Sequence, residues 1–444
     1  MNKEFHKKQN FFSFSDIDSE RKDRIMKFTS TEATPAPHVP PGVLRLTGAA
    51  KEDIPMYRIQ TMNKISPVGL NRFPSELYEV GDAVQDPQGI LVRSAKLLDL
   101  EFNPSLLAIA RAGVGVNNIP LDRCAAAGIP GFSTPGANAN AVKELVICAM
   151  LMGSRDIPGA IRWVREQAAS GVDVSTVVEK GKSAFIGPEL YKKTLGIIGL
   201  GAIGSIVANT AISLGMDVYG YDPFLSVDTA LRLDRHVHVV KDINDLYKRS
   251  DYITMHIHYT EKTARMIDAS AIAAMKRGVR VINLARGEIV DDEAMLTALD
   301  TGMVAAYITD FPNNRLLTAP HVIAMPHLGA STPESEQNCA AMAVDTLRDY
   351  LESGNIRSSV NLPEMTMDRS GVQRLCVLHK NVPGMLANIT SLFGRDGVNV
   401  ENLSNKSRGD YAYTMVDLGS KVGDNVIEDV RRTANVIRVR SLEW

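Results

Sequence analysis

At 444 residues, with 45% hydrophobic and 23% charged residues, the chain exceeds what one core supports and reads as an ordinary soluble protein of two or three domains. A net charge of −2 without a basic face gives nucleic acid no purchase, and no apolar run is long enough to span a membrane. The four cysteines (Cys124, Cys148, Cys339, Cys376) lie far apart, which suits free thiols in a reducing compartment. The first residues lack the apolar core of a secretory signal and carry Glu4, Asp16, Asp18 and Glu20, unlike a transit peptide, so the cytoplasm is the expected location.

Residues 1–53 read as a flexible extension. Its stretch from Thr29 to Gly42 is proline-rich and without period, and a short helix is expected only around Asp18–Phe28. From Tyr57 the pattern turns globular. Strands are expected at Tyr57–Thr61, Gly89–Val92 and Leu106–Ala110, with helices at Leu121–Ala127 and Val142–Arg155. This alternation predicts a first, smaller parallel-sheet unit.

A second unit opens near Pro158 and is organised around Thr194–Asp222. The apolar run Leu195–Leu200 predicts a buried parallel strand, and Gly199, Gly201 and Gly204 follow in the spacing G-x-G-x-x-G. The first glycine permits a tight turn, the second lets backbone approach a pyrophosphate, and the third lets helix pack on strand. The helix after them offers free N–H groups to phosphate. A second strand, Met216–Tyr221, ends at Asp222, where a carboxylate accepts hydrogen bonds from a ribose diol and repels a 2′-phosphate. The pattern therefore predicts NAD over NADP. Further strands are expected at Val237–Val240, Tyr252–His256, Val279–Leu284, Val304–Ile308 and His321–Ala324, then a helix over Glu334–Glu352. After a polar linker, the order βαββαβ from Val372 to Leu442 predicts a ferredoxin-like unit of the kind that binds small effectors or pairs subunits.

Two side chains carry the candidate chemistry. Arg286, just past a buried strand in Asn283–Gly287, could hold a carboxylate bidentately, although helix capping or a domain interface would also explain an arginine there. His327, between a strand end and a Gly-Ala turn, suits proton exchange with a hydroxyl or carbonyl once Arg286 lies beside it. Arg93, Ser94 and Lys143 could bind a second anionic group such as phosphate, or be solvated surface polarity. His256 and His258 alternate on a strand without further ligands at metal spacing, so no metal site is predicted.

At the level of motifs, AIARAGVGVNNIPLDRCAAAGIP, TPGANANAVKELV, LGIIGLGAIG, INLARGEIVD and MPHLGASTPESE resemble the NAD-dependent D-2-hydroxyacid dehydrogenases, and HKNVPGMLANITSLFGRDGVNVENLS resembles an ACT domain. The resemblance covers about residues 57–444. It implies two doubly wound α/β domains followed by a ferredoxin-like α+β ACT domain. A substrate-binding domain would occupy 54–155 and 325–355, a Rossmann NAD domain 156–324, a linker 356–370 and the ACT domain 371–444. NAD would meet Ala202, Ile203 and Asp222, with Ala285, Asp310 and Gly329 near the nicotinamide. Substrate would meet Arg93, Ser94, Gly113 and Val114, with Arg286 on its carboxylate and His327 as proton shuttle.

The activity implied is oxidation of 3-phosphoglycerate to 3-phosphohydroxypyruvate, which opens serine biosynthesis. The alternatives are reduction of hydroxypyruvate, glyoxylate or a similar 2-oxo acid, and a cofactor-binding regulator without catalysis. The ACT resemblance implies L-serine bound by His379, Asn381 and Asn399, and a homodimer or homotetramer. Three positions depart from the family pattern. Asn314 stands where the family has a glutamate beside the histidine, Asp310 is displaced by one from the family's aspartate, and His258 replaces a usual proline. A neutral amide at 314 could orient an imidazole but brings it no charge.

Overall fold

A computed structural model describes residues 56–444. The expected extension over 1–53 and its short helix lie outside the described residues.

The first sheet is parallel throughout and holds β1 (Tyr57–Met62), β2 (Tyr78–Gly81), β3 (Gly89–Val92), β4 (Ala108–Arg111) and β5 (Gly131–Phe132) in the order β2-β1-β3-β4-β5. β3 is buried at every position, as its unbroken apolar run requires of a strand covered on both faces. The helix that follows in sequence, α1 (Ala139–Arg155), does not stay with this sheet. Its Val142, Val146, Ala149 and Met150 pack against the next one.

That second sheet is also wholly parallel. It comprises β6 (Thr194–Ile198), β7 (Asp217–Tyr221), β8 (Val237–Val240), β9 (Tyr252–Met255), β10 (Val279–Asn283), β11 (Val304–Thr309) and β12 (Val322–Ala324), in the order β12-β11-β10-β9-β6-β7-β8. The reversal of direction between β6 and β9 creates a switch point, where open α/β sheets form a crevice at the strand C-termini. The glycine turn after β6 and helix α2 (Ala202–Ser213) sit there. Helix α3 (Pro333–Ser353) returns to the first sheet, where Ala340, Ala343, Val344, Leu347 and Leu351 join its core.

The C-terminal unit is an antiparallel sheet of β13 (Gln373–Lys380), β14 (Val400–Arg408), β15 (Tyr411–Leu418) and β16 (Val436–Glu443), in the order β14-β15-β13-β16. Helices α4 (Met385–Arg395) and α5 (Asp424–Arg432) cover one face, completing the ferredoxin-like arrangement. Alternation divides the strands between two cores. Leu375 and Val377 face the helices, whereas Cys376 and Leu378, with Tyr413, Met415 and Leu442, join the core of the first sheet.

Three features escape the sequence reading. β2 and β5 are only 4 and 2 residues long. Helices at Ile157–Ala169 and Val174–Gly181 bury none of their residues. The stretch expected as a polar linker is packed: Ile356, Leu362 and Met365 are buried, and Ile356 pairs with Met365. Asn361 within it donates to the carbonyls of Leu121 and Ile129 and accepts from the Gly131 N–H. The physical reason is satisfaction of buried backbone, which a loose tether could not provide.

Candidate active site

The glycine turn fits a dinucleotide. Gly199 holds φ +90°, and a Cβ there would stand 2.6 Å from the His256 carbonyl oxygen, so only glycine is tolerated. A Cβ on Gly204 would stand 1.9 Å from the Gly199 oxygen, which records how closely α2 packs on β6. At Gly201 a Cβ would meet nothing within 4 Å, so the backbone is open to an approaching group. Gly201 caps α2 without a side-chain hydrogen bond, leaving the N-terminal N–H groups for an anion. Ala202 faces Gly136 of the loop before α1, and Ile203 packs into the core beneath. Asp222 accepts from the Leu200 N–H at 2.9 Å and the Phe224 N–H at 2.8 Å, so its carboxylate also fixes the turn.

Across the crevice, arginines from both parallel sheets converge. Arg111, at the end of β4, donates from Nε to the Arg93 carbonyl at 2.8 Å, and its buried Nη1 has no partner. Arg286 follows β10 and donates from Nη1 to the Ala285 carbonyl at 2.7 Å. The two guanidiniums meet at Gly115, where a Cβ would lie 2.8 Å from Arg111 Nη1 and 3.6 Å from Arg286 Nη2. Burial, and then the like charge of Arg286, pushes the Arg111 guanidinium below its ordinary pKa. Two like charges held together beside an unpartnered donor form a seat for an anion. Sequence reading gave Arg111 no role, because nothing local announces that Arg286 will face it.

The loops are pinned from below. Asn283, fully buried, donates to the Arg286 carbonyl at 2.8 Å and accepts from the Ala285 N–H at 3.2 Å. Gly113 accepts from the Thr134 N–H at 3.1 Å, and Val114 continues that loop. Ser94 donates its backbone N–H to Asn63 Oδ1 at 3.0 Å. Arg93 is half-exposed and paired with Glu336 in the first turn of α3. Lys143 is held by Asn140 Oδ1 at 2.7 Å on its own helix.

His327 is exposed at the crevice edge, its ring against Phe311 with centroids 4.6 Å apart. The other neighbour of Phe311 is the Arg286 guanidinium, 5.9 Å from the ring centre, so one phenyl group spaces the two candidate residues. Asn314 does not complete this group. It is exposed, and Asn313 ties its segment to Asp292 through a 2.6 Å hydrogen bond. The buried acid on this loop is Asp310, which accepts the Gly329 N–H at 3.2 Å.

Among the described residues no group of histidine, cysteine or acidic side chains could hold a metal ion. Burial pushes the His256 imidazole down to about 4, and its Nε2 lies 3.2 Å from Thr254 Oγ1. His258 is exposed, and its carbonyl accepts from the Thr263 hydroxyl. In the C-terminal unit, His379 is buried with both ring nitrogens engaged, Nδ1 at the Lys380 carbonyl and Nε2 at Thr414 Oγ1, each at 2.8 Å. Asn381 and Asn399 are exposed and donate to the Gly409 carbonyl and Glu401 Oε1. The three do not converge on one open pocket within the chain.

Residues 147–329 match the family model described as "D-isomer specific 2-hydroxyacid dehydrogenase, NAD binding domain". A curated relative from Haemophilus influenzae, named D-3-phosphoglycerate dehydrogenase, is 31% identical over 379 residues, covering 82% of this chain and 88% of the relative. One of the same name from Synechocystis is 35% identical over 326 residues, covering 71% of this chain. The chain spans only 56% of that relative's length. The crystal structure of NAD+-bound 3-phosphoglycerate dehydrogenase from Entamoeba histolytica matches with TM-score 0.54 and 26% identity, covering 69% of this chain and 99% of that one. The chain belongs to the D-isomer-specific 2-hydroxyacid dehydrogenase family.

Proposed function

We propose that the chain is an NAD-dependent dehydrogenase that interconverts 3-phosphoglycerate and 3-phosphohydroxypyruvate. The observation that carries this reading is the convergence of Arg111 and Arg286 at Gly115, with His327 across Phe311 from Arg286. The Gly199–Gly204 turn and Asp222 would hold NAD, which when bound would accept the hydride that leaves C2 of the hydroxy acid. Arg286 anchors the substrate carboxylate as a fork and polarises the adjacent C2 oxygen. His327 takes the hydroxyl proton during oxidation and returns it during reduction. Ala285 and Gly329 would stand on the nicotinamide side of that site, and Gly113 and Val114 would offer backbone to the substrate.

The phosphate is the distinguishing group, and Arg93 is its candidate ligand together with Arg111. Arg93 is already paired with Glu336, which favours a second reading: reduction of an unphosphorylated acid such as hydroxypyruvate or glyoxylate. Steady-state assay of 3-phosphohydroxypyruvate against hydroxypyruvate, each with NADH and NADPH, decides between them. On the first reading, Arg93→Gln lowers kcat/KM for the phosphorylated acid about 10–100-fold, the worth of a lost hydrogen bond to a charged group, and changes hydroxypyruvate turnover little. Equal loss on both acids overturns the phosphate role.

We further infer that the chain works as a cytoplasmic homodimer or homotetramer with L-serine as effector. Among the described residues no helix is long and apolar enough to cross a membrane. The helices over 157–181 bury nothing and expose Ile161 and Val164, which supports contact with a second copy. A serine effector is supported by the motif around His379, Asn381 and Asn399; the two exposed asparagines offer hydrogen bonds at opposite ends of the C-terminal sheet, and His379 supports the strand end beside Asn381. L-serine is expected to slow turnover, and Asn381→Ala to weaken that inhibition in a dose–response assay. Serine binding by calorimetry without any effect on rate leaves an assembly role.

A further inference from the structure

We propose that Glu336 is a placeholder for the substrate phosphate: its carboxylate holds Arg93 between turnovers and gives it up to a phosphorylated acid. The proposal rests on Arg93 serving the phosphate. Arg93 follows β3, at the same end of the first sheet as Arg111. Its backbone is fixed on both sides. The Arg93 carbonyl accepts from Arg111 Nε, and Asn63 Oδ1 accepts the N–H groups of Ser94 and Ala95 at 3.0 and 2.6 Å. Glu336 is fixed as firmly, in the first turn of α3, behind the Thr332 cap and between the buried Ser335 and Cys339. What remains free to change partners is the pair of side chains.

Charge accounts for the pairing. Burial, then Arg286 and, more weakly, Arg93 push the Arg111 guanidinium below its ordinary pKa, so the three cations feel one another. Glu336 is the carboxylate paired with this cluster, and the N-terminus of α3 favours its charge. A 3-phospho-2-oxo acid brings a carboxylate and a phosphate of about −1.5 to −2 charge, enough to match three cations unaided. Between turnovers Glu336 supplies part of that match.

The pair is weak enough to be exchanged. Each side chain is 44% exposed, and among the described residues the contact is a single prong, Nη2 to Oε1. An exposed pair of this kind is worth a factor of about two to five in binding, whereas a bond from a cation to phosphate is worth about 10–100-fold. Sharing Arg93 is disfavoured, because the phosphate would then sit beside a carboxylate of like sign. An unphosphorylated acid leaves the pair closed. Inorganic phosphate must open it without the help of a carboxylate on Arg286, so Glu336 discriminates against it. The rival is that Glu336 is a fixed brace that keeps Arg93 aimed at the phosphate throughout.

The test uses the full chain with Glu336→Gln, Arg93→Gln, the double variant and, as a control, Glu334→Gln on the same helical turn. At saturating NADH, Glu336→Gln should lower KM for 3-phosphohydroxypyruvate about two- to fivefold and leave that for hydroxypyruvate unmoved. Inorganic phosphate should become a stronger competitive inhibitor by the same factor. In the Arg93→Gln background the exchange should do nothing, which a loosened α3 would not reproduce. An equal gain from Glu334→Gln, or an equal change on both acids from Glu336→Gln, overturns the proposal. A KM that rises or stays, while Arg93→Gln still selects against the phosphorylated acid, makes Glu336 a brace and overturns it with the function reading intact. Equal loss on both acids with Arg93→Gln alone removes the phosphate role, and the placeholder with it. Calorimetry of 3-phosphoglycerate binding reads the same factor without turnover, so the exchange is decided even if neither acid is reduced.

Discussion

Exchanging His327 for glutamine should lower kcat by about 10²–10⁴-fold in both directions, the usual contribution of a positioned acid–base group. KM for the 2-oxo acid should change little. The cationic seat that holds the substrate comes from Arg286 and Arg111, and neither depends on the imidazole for its position: Asn283 and the Ala285 carbonyl fix one, and the Arg93 carbonyl fixes the other. Glutamine retains hydrogen-bonding capacity and can lie against Phe311, so the crevice should keep its shape. It cannot gain or release a proton near neutrality, and that capacity is the property under test. Steady-state rates at saturating NADH, with NADH binding followed by fluorescence, separate the two effects. A variant with wild-type kcat would falsify the proton-shuttle role, whereas a rise confined to KM would make His327 a binding group.

The parallel units were legible because their physics is local. A buried parallel strand must be an unbroken apolar run, and a dinucleotide turn needs glycine at fixed offsets, so β3 and the turn at Gly199 follow from a few consecutive residues. The C-terminal sheet was legible for a similar reason: each of its strands is long enough to show a period. What could not be read depends on distance in the chain. Arg111 becomes part of a site when Arg286, which follows a strand of a different sheet, arrives beside Gly115. The helices at Ile157–Ala169 and Val174–Gly181 bury nothing in the chain, so no core contact marks their amphipathic pattern. Around Asp310 and Asn314 the motif was visible, but not that Asp310 would be buried while Asn314 stays exposed on a segment that Asn313 ties to Asp292. A one-residue displacement in a strand end moves a side chain to the opposite face, and sequence spacing alone does not say which face is kept.

The Asp417→Asn variant should lose about 3–5 kcal/mol of stability, more than any surface substitution. Arg374 and Asp417 form a two-pronged pair, Nε to Oδ1 at 2.6 Å and Nη2 to Oδ2 at 2.7 Å, and both side chains are fully buried. The remaining Arg374 donors are used as well, reaching the carbonyls of Ser353, Met367 and Asp368. Asp417 Oδ2 also accepts the N–H and hydroxyl of Ser370. The pair thus binds the end of α3, the packed segment after it and two strands of the C-terminal sheet. Neutralising the acid leaves an uncompensated guanidinium in the core and weakens its best acceptor, which is why the effect exceeds that of one hydrogen bond. A double replacement by apolar residues, Arg374→Met with Asp417→Leu, should recover most of the loss, since burying two charges was costly to begin with. Trp444 offers the readout: its ring lies 5.3 Å from the Arg374 guanidinium, and Trp163→Phe leaves it the single indole of the chain. Urea unfolding followed by that fluorescence should show an earlier midpoint for Asp417→Asn. Because Tyr413, Met415 and Leu442 share a core with Leu347 and Tyr350, circular dichroism of the whole chain should shift with it. A fluorescence transition that moves alone would instead show the C-terminal unit opening independently of the first sheet.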